Sequence, residues 1–317
     1  MKNISILLPF GNHSISLSST VTILDIAQRS GCALSYQIVS ANNKQPVQMG
    51  PFRVTPDMTI REVKQTDLII ISPLIFIDNQ AILDENRALI EWVRHLYQRG
   101  SEVISLCTGA YILAATGLLA HKEASSHVSA IADLQRRYPA VTWRKEKIIT
   151  DQEGLMTSGG ALSSLNVLIY WLMKYYDKST VRRIAKGLQI DYPRESQKPF
   201  YIFSNQKNHT DELILQIQEY LEEHQGEAIH FDELAHKYHI SRRSLNRRFK
   251  NATGESLRTY QQRVLIEKAK EYLEAKPITI QELAYTLGYV DVNSFRNLFH
   301  KITGTLPHEY QRRFLAK

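Results

Sequence analysis

The chain has 317 residues, of which 43% are hydrophobic, and a formal net charge of +7 at pH 7. This length is enough for two domains, each with its own core. The two cysteines, Cys32 and Cys107, exclude a disulfide framework, and no apolar stretch is long enough to span a membrane. We therefore expect a cytoplasmic protein without a structural metal or a cofactor, and the positive charge favours a polyanionic partner.

The first 190 residues alternate strand-like and helix-like segments. Strands are predicted at 4–9, 36–40, 67–73 and 103–106, and helices at 21–30, 86–99 and 161–176. The run of residues 68–71 is apolar throughout, which is typical of a strand buried on both faces of a parallel sheet. The pattern predicts a flavodoxin-like α/β domain with a largely parallel sheet and helices on both faces.

Cys107 stands between the strand predicted at 103–106 and a helix-like segment that follows it. In an open parallel sheet, such a junction lies at the carboxyl edge, where these folds bind ligands. The N-terminus of a helix also favours a thiolate at this position. Cys107 is therefore the first candidate for a ligand site in this domain.

Three short motifs follow this strand-cysteine-helix junction: Gly117-Leu-Leu, Ala124-Ser-Ser-His127 and Thr157-Ser-Gly-Gly160. With them, residues 1–190 resemble the PfpI-like branch of the class I glutamine amidotransferase-like superfamily. The resemblance implies a domain that pairs as a homodimer and carries a site at the sheet edge. The candidate ligand-binding residues are Cys107, Thr108, His127, Ser158 and Gly159.

Catalysis at this site would need a thiolate nucleophile, a histidine partner and donors for an oxyanion. Cys107, His127 and the backbone amides after the cysteine match these roles. Catalytic relatives also place a carboxylate in the loop after the first strand, but this sequence has no Asp or Glu before Asp25. We therefore predict a site that binds a small molecule without turning it over. Two alternatives stay open: a cysteine-dependent amidase, and a turn at Cys107 that has only a structural role.

The segment 191–208 contains Pro193, Pro199 and several polar residues. It is predicted to be the linker between a sensor and dimerisation domain at 1–190 and a second domain at 209–317. An apolar patch at 200–203 interrupts the linker, and we expect it to dock on one of the domains.

The residues after Ile240 have the pattern of a DNA recognition helix. Ser241 is a good N-cap, so a helix is predicted to start at the next residue, and Leu245 and Phe249 form its buried stripe. The opposite face has no acidic residue and carries Arg242, Arg243, Asn246, Arg247 and Lys250. Such side chains neutralise phosphates and hydrogen-bond base edges in a major groove. A solvated basic face is the alternative for this helix alone.

An internal repeat favours DNA binding. Phe249, Gly254, Tyr260 and Arg263 recur fifty positions later as Phe299, Gly304, Tyr310 and Arg313. Each copy reads as a short helix, a tight turn and a second helix, which is the helix-turn-helix arrangement. The outer face of the second recognition helix, predicted at 292–301, carries Asn293, Arg296, Asn297, His300 and Lys301.

The ends of the repeated helices have their own signals. Thr279 with Glu282 fits a capping box, and Asp291 is an N-cap candidate for the second recognition helix. Gly254 and Gly304 stand where each recognition helix should end, since glycine accepts the left-handed conformation of a helix C′ position.

With the tail Gly304-Thr-Leu-Pro307-His-Glu-Tyr310, residues 229–314 resemble the DNA-binding domain of AraC-family transcriptional regulators. In that family a long helix joins the two units and sets both recognition helices into successive major-groove segments. The apolar pattern of residues 257–273 can supply this helix, about 25 Å long. A PfpI-like domain followed by an AraC-type domain is the architecture of GlxA-type regulators.

We therefore predict a sequence-specific transcriptional regulator that binds double-stranded operator DNA under the control of a small-molecule effector. Predicted base contacts are Arg242, Arg243, Asn246, Arg247, Asn293, Arg296 and Asn297, and predicted phosphate contacts are Arg248, Lys250, His300 and Lys301. A cysteine-dependent hydrolase that carries a DNA-binding domain is the main alternative. A structural protein that uses its basic face for protein partners is a third.

Overall fold

The computed structural model describes residues 1–12, 14–49, 52–75, 79–193, 196–201, 203, 206–207, 209–224 and 229–315. The chain forms two compact units, Met1–Gln197 and Lys198–Lys317. Their boundary lies inside the predicted linker, of which residues 194–195, 202, 204–205 and 208 lie outside the described residues. Over the described ranges, no helix is both long and apolar enough to cross a membrane.

The N-terminal unit is built on a mostly parallel sheet. The strands are β1 (Lys2–Leu7), β2 (Leu34–Ser40), β3 (Val47–Met49), β4 (Phe52–Val54), β5 (Met58–Thr59), β6 (Leu68–Ile71), β7 (Glu102–Ser105), β8 (Glu123–Ala124), β9 (Thr142–Trp143), β10 (Ile149–Gln152) and β11 (Leu155–Ser158). The main sheet has the order β10-β11-β7-β6-β1-β2-β5, and its neighbouring strands run parallel except for β10 and β11. The predicted parallel α/β architecture is confirmed.

Helices cover both faces of this sheet. They are α1 (Ser14–Arg29), α2 (Asn79–Glu85), α3 (Arg87–Gln98), α4 (Ala110–Ala115), α5 (Ile131–Arg137), α6 (Ser164–Tyr175) and α7 (Lys178–Gly187). In β6, Leu68 and Ile70 belong to a core shared with α1, α6 and α7, whereas Ile69 and Ile71 belong to a core shared with α3, α4 and α5. The apolar run therefore forms a strand that is buried on both faces, as predicted.

Some predicted element boundaries were wrong. α1 begins at Ser14 rather than at residue 21, because Leu17 and Thr20 are buried against the rest of the unit and extend the helix through a Ser/Thr-rich segment. Serine and threonine are weak helix formers, so local propensity hides this first part of the helix. The strand predicted at 4–9 ends at Leu7, and the helix predicted at 161–176 begins as a 3-10 turn over Ala161–Ser163.

The C-terminal unit is helical. Its helices are α8 (Glu212–Glu223), α9 (Phe231–Lys237), α10 (Arg242–Thr253), α11 (Leu257–Ala275), α12 (Ile280–Thr286), α13 (Val292–Thr303) and α14 (Pro307–Phe314). The predicted connecting helix is confirmed as α11. Leu257, Tyr260 and Val264 of α11 pack in the core of the first helix-turn-helix copy, and Ala269 and Leu273 pack in the core of the second. One continuous helix thus holds both copies.

A tyrosine-glutamate pair extends the repeat beyond the residues that revealed it. Tyr260 donates a hydrogen bond to Glu222 of α8 at 2.6 Å, and Tyr310 donates one to Glu274 of α11 at 2.5 Å. Burial, and then the adjacent carboxylate, raises the pKa of both tyrosines well above its ordinary value. α8 therefore supports the first copy in the way that the end of α11 supports the second.

The apolar patch predicted at 200–203 packs within the C-terminal unit. Phe203 meets the ring of Tyr260 edge-on, with 5.2 Å between the ring centroids, and Phe200 meets the ring of Phe314 at 5.5 Å. Ile202 lies outside the described residues. The expectation that this patch docks on one domain is confirmed.

Candidate DNA interface and candidate ligand site

The first recognition helix, α10, begins and ends as its sequence predicts. The hydroxyl of Ser241 accepts a hydrogen bond from the amide of Ser244 at 3.2 Å, and Gly254 ends the helix in the left-handed conformation with φ +78°. Leu245 and Phe249 are fully buried. The residues predicted to face DNA therefore lie on the side of α10 that points away from the core.

Arg242 is held differently from the other predicted contacts of α10. Its guanidinium carbon lies 4.6 Å from the ring centroid of Phe231, and Nη1 lies 3.6 Å from Asp232. Both partners belong to α9. The side chain is thus half-buried against the first helix of the motif, where its charge and planar group stack on an aromatic face.

Arg248, a predicted phosphate contact, forms an ion pair with Asp211, the N-cap of α8. The guanidinium is the largest cause of the lowered pKa of Asp211. A carboxylate of the protein itself therefore offsets the charge of Arg248, which the linear pattern of α10 did not reveal.

The second recognition helix, α13, repeats this arrangement. Asp291 accepts hydrogen bonds from the amides of Asn293 and Ser294 at 3.0 and 2.9 Å, and Gly304 ends the helix with φ +73°. At the start of α12, the hydroxyl of Thr279 accepts a hydrogen bond from the amide of Glu282 at 3.1 Å. The predicted N-cap positions are confirmed.

The outer faces of both recognition helices are available to a partner. Apart from Arg242 and Arg248, the predicted DNA contacts are exposed, and their side chains make no hydrogen bond or ion pair with any described residue: Arg243, Asn246, Arg247, Lys250, Asn293, Arg296, Asn297, His300 and Lys301. Cations without a neutralising carboxylate are what a polyanion requires, because each must replace a counterion of the phosphate backbone.

In the N-terminal unit, Cys107 lies on a sharp turn at the carboxyl edge of the sheet. β7 ends at Ser105, Cys107 has a left-handed backbone with φ +53°, and a 3-10 turn over Cys107–Gly109 leads into α4. A Cβ built on Gly109 would lie 2.8 Å from the carbonyl oxygen of Ile71, so the turn packs closely against β6. The predicted junction is present, although α4 itself begins only at Ala110.

Two serines hold this turn in place. The amide of Cys107 donates to the hydroxyl of Ser158 at 3.3 Å, and its carbonyl oxygen accepts from the hydroxyl of Ser126 at 2.8 Å. Thr108 is directed elsewhere, since its hydroxyl accepts from the amide of Leu74 and donates to the carbonyl of the same residue. The structure thus brings Cys107 and Ser158 together, and Thr108 ties the turn to the segment after β6.

His127 lies beside the glycine pair of the third motif. A Cβ built on Gly160 would lie only 2.2 Å from Cδ2 of the imidazole. Nδ1 of the imidazole lies 2.6 Å from the hydroxyl oxygen of Ser129 and 3.3 Å from the amide nitrogen of the same residue. Burial lowers the pKa of His127, which favours the neutral ring.

Gln197 is a buried residue of this region that the sequence did not indicate. Its Nε2 donates to the carbonyl oxygens of Ser126 at 3.2 Å and Lys145 at 2.6 Å, and its Oε1 accepts from the amide of Gly160 at 3.3 Å. A Cβ on Gly159 would lie 2.5 Å from Oε1. The predicted ligand residue Gly159 is therefore covered by a side chain from the predicted linker.

Buried oxygen atoms at the same edge of the sheet are left without hydrogen-bond partners. They are Oδ1 of Asn12, which follows β1, Oγ of Ser72, which follows β6, and Oγ of Ser105, at the end of β7; none has a partner within the described parts of the chain. β1, β6 and β7 are neighbours in the sheet. Buried polar groups are normally satisfied by protein or by ordered water, so these oxygens are the polar atoms of this edge that the described residues leave open.

Comparison with known proteins bears on both units. The DJ-1/PfpI family matches residues 2–169, which is more than half of the chain. The chain belongs to the DJ-1/PfpI family. A second family, described as a helix-turn-helix domain, matches residues 234–313, the region of the repeat.

Two transcriptional regulators match most of this DJ-1/PfpI family member. The HTH-type transcriptional regulator GbdR from Pseudomonas aeruginosa is 24% identical over 298 residues, which cover 93% of this chain and 80% of the relative. The regulator GlxA from Rhizobium meliloti is 23% identical over 224 residues, covering 70% and 68%. The resemblance to GlxA-type regulators is confirmed, and the protein is a DNA-binding transcriptional regulator.

A solved structure supports the fold of the N-terminal unit. A mutant of a DJ-1 superfamily protein from Salmonella typhimurium has a TM-score of 0.51 to this chain at 18% identity, and covers 61% of this chain and 100% of its own. This likeness extends over the α/β unit and shows its fold alone.

Sequence reasoning missed Asn12 and Gln197 in the DJ-1/PfpI unit. Asn12 was one of several polar residues in the loop after β1, and Gln197 belonged to the predicted linker. The loop offered a signal, because the position after the first strand of a parallel sheet faces the ligand edge. No pattern in 191–208 pointed to Gln197.

Proposed function

We propose that α10 and α13 enter successive major-groove segments of one operator. Base edges are read by Arg242, Arg243, Asn246, Arg247, Asn293, Arg296 and Asn297, and Lys250, His300 and Lys301 contact phosphates. Arg248 lies near the DNA backbone, and its charge is partly neutralised by the ion pair with Asp211. The expected location of the protein is the cytoplasm, where it would meet its DNA.

The observation that carries this proposal is a duplicated exposed face whose cations, apart from Arg242 and Arg248, pair with no carboxylate of the described residues. Both recognition helices start at a capped residue and end at a left-handed glycine, and one helix, α11, belongs to the cores of both copies. Two similar recognition helices joined by one connecting helix favour binding to two adjacent half-sites on DNA.

Selection of bound sequences from a random DNA pool tests this proposal. The full-length protein is used at near-physiological salt, beside an Arg243→Ala, Arg296→Ala double variant. A matched control replaces Arg182 and Arg183, two exposed arginines of α7, with alanine. We expect two short conserved blocks about one helical turn apart, lost in the first variant and kept in the control. If the wild type enriches no sequence, the reading role of both helices is wrong.

The carboxyl edge of the DJ-1/PfpI sheet is proposed to bind a small polar effector. The oxygens of Asn12, Ser72 and Ser105, which have no partner among the described residues, end or follow three adjacent strands, β1, β6 and β7, and Cys107 follows the last of these. A polar effector at this edge would donate hydrogen bonds to them. Binding alters DNA recognition only if the effector prefers one arrangement of the two DNA modules in the assembled protein.

Asn12 also supports a site without turnover. It stands in the loop after β1, where catalytic relatives are expected to hold a carboxylate, and an amide cannot take a proton as a carboxylate does. Asp25, the first acidic residue, instead accepts a hydrogen bond from the hydroxyl of Tyr36 at 2.8 Å. Incubation of wild type and Cys107→Ser with small amides tests the alternative of a cysteine hydrolase. Turnover by the wild type that the variant loses would establish an enzyme.

A homodimer through the N-terminal unit is the proposed assembly. Phe10 is 63% exposed and Ile75 is 41% exposed, and their segments are adjacent, since the amide of Ile75 donates to Gly11 at 2.6 Å. Burying two such side chains in a partner removes apolar area from water. Light scattering should give twice the chain mass, and Phe10→Asp should halve it. Phe52→Asp, which is equally exposed but lies on β4, is the control and should remain dimeric.

A further inference from the structure

A polar cleft of about 230 Å³ lies within the C-terminal unit, between α11 and the turn that leads into α13. Arg258, Gln261 and Gln262 line it from the first turns of α11, and residues 287–289 form the opposite wall. None of the residues that line it is acidic. The cleft is separate from the outer faces of α10 and α13.

The chemistry of the cleft suits an anion. Arg258, Gln261 and Gln262 are spaced i, i+3 and i+4, so their side chains share one face of the helix. Arg258 is exposed, and within the described residues its guanidinium forms no ion pair and no hydrogen bond. By contrast, Arg263 on the same helix pairs with Glu255 at 3.3 Å. The cleft therefore combines an available guanidinium with two side-chain amides that can donate hydrogen bonds.

The position of the cleft identifies which anion it meets. α11 begins directly after the first recognition helix has ended at Gly254, and residues 287–289 come immediately before the start of the second at Asp291. The lining of the cleft is therefore next in the chain to the end of the first recognition helix and to the start of the second. When two recognition helices occupy successive major-groove segments, the sugar-phosphate backbone that separates these segments passes between the two helices.

We propose that this cleft binds a backbone phosphate of the operator, held by the guanidinium of Arg258 and the amides of Gln261 and Gln262. The proposal rests on the proposed placement of α10 and α13 in DNA. A phosphate contact at this point carries no base information; it sets the register of the two readers on the duplex.

Salt-dependent DNA affinity of Arg258→Gln tests the proposal. The full-length variant is titrated with the selected operator and with a scrambled duplex over about 50 to 200 mM salt. Glutamine keeps the hydrogen-bonding capacity and removes the charge, whereas Arg258→Lys keeps the charge. Arg182→Gln, at an exposed arginine of α7 in the N-terminal unit, makes the same change in net charge and is the control.

For Arg258→Gln we expect the slope of log affinity against log salt to fall in magnitude by about 1, with the same loss of affinity on both duplexes and an unchanged selected sequence. Arg258→Lys and Arg182→Gln should keep the wild-type slope. If Arg258→Gln keeps the slope and affinity of Arg182→Gln, the phosphate contact does not exist. A change of preference at one base pair without a change of slope overturns it equally, because Arg258 would then read a base.

A free anion in the cleft is distinguished by a separate measurement. At constant ionic strength and without DNA, the melting temperatures of the wild type and of Arg258→Gln are compared with and without inorganic phosphate. A stabilisation confined to the wild type, with an unaltered salt slope on DNA, overturns the proposal in favour of a small phosphorylated ligand. If the wild type does not discriminate the two duplexes, the placement of α10 and α13 fails, and the phosphate site fails with it.

Discussion

The side-chain amide of Gln197 donates to the carbonyl oxygen of Ser126 at 3.2 Å, and the hydroxyl of Ser126 donates to the carbonyl oxygen of Cys107 at 2.8 Å. The final residue of the N-terminal unit is thereby joined to the cysteine turn. Lys198, the next residue, begins the C-terminal unit. A ligand that displaces Ser126 or Gly160 would therefore act on the chain at the point where it leaves the DJ-1/PfpI unit.

Gln197→Ala should destabilise the N-terminal unit by about 1 to 3 kcal/mol, because it leaves buried backbone groups without their partners. Trp92, Trp143 and Trp171 all lie in this unit, so their fluorescence during urea unfolding reports on it alone. Gln98→Ala, at the exposed end of α3, is the control and should unfold as the wild type does. Equal midpoints for the two variants would contradict a structural role of Gln197.

Gly160→Ala should also destabilise this unit, by about 1 to 3 kcal/mol, because its methyl group would overlap the His127 ring unless the imidazole moves. Gly187, at the end of α7, is exposed, and a methyl group added to it would meet no atom within 4 Å. Gly187→Ala should therefore be neutral or slightly stabilising. Tryptophan fluorescence again gives the comparison, and a tolerated Gly160→Ala would show that His127 can leave its place at little cost.

Arg296→Ala should cost about 1 to 3 kcal/mol of operator affinity and relax the preference at one base pair, if Arg296 reads a base edge. Lys301→Ala, on the same helix, should weaken all DNA sequences alike, because a phosphate contact carries no sequence information. Competition binding against a panel of single-base operator variants separates the two effects. A uniform loss for Arg296→Ala would falsify its assignment as a reader.

The cap of α13 should make the C-terminal unit sensitive to acid. Hydrogen bonds from the hydroxyl of Ser294 and from the amides of Asn293 and Ser294 lower the pKa of Asp291 in the folded protein. The carboxylate of Asp291 therefore contributes fully to stability at a pH above its pKa in the unfolded chain, about 3.9. This contribution is lost as the pH falls through the lower pKa that Asp291 has in the folded protein.

Thermal unfolding followed by circular dichroism checks this dependence on pH. The difference in melting temperature between the wild type and Asp291→Ala should be largest near neutral pH and should shrink below about pH 4. Ser241→Ala removes the equivalent cap of α10, whose hydroxyl does not titrate, so its effect should not follow the Asp291 titration. Parallel curves for both variants would show that the ionisation of Asp291 is irrelevant.

Local signals were enough to predict both recognition helices. Ser241 and Asp291 accept the amides that their N-cap positions require, and Gly254 and Gly304 adopt the left-handed conformation. Each of these features depends on residues within one turn of the helix, so the sequence carries the complete information. The early start of α1 at Ser14 was not predictable in this way, because it depends on packing against the sheet.

The sequence by itself determined the class of both units, the repeat and the positions at which cations line the outer face of each recognition helix, since periodicity and caps are short-range properties. Only the tertiary structure decided that Arg242 stacks on Phe231, that Asp211 neutralises Arg248 and that Gln197 covers Gly159. Each of these contacts joins residues of different elements, which meet only when those elements pack together.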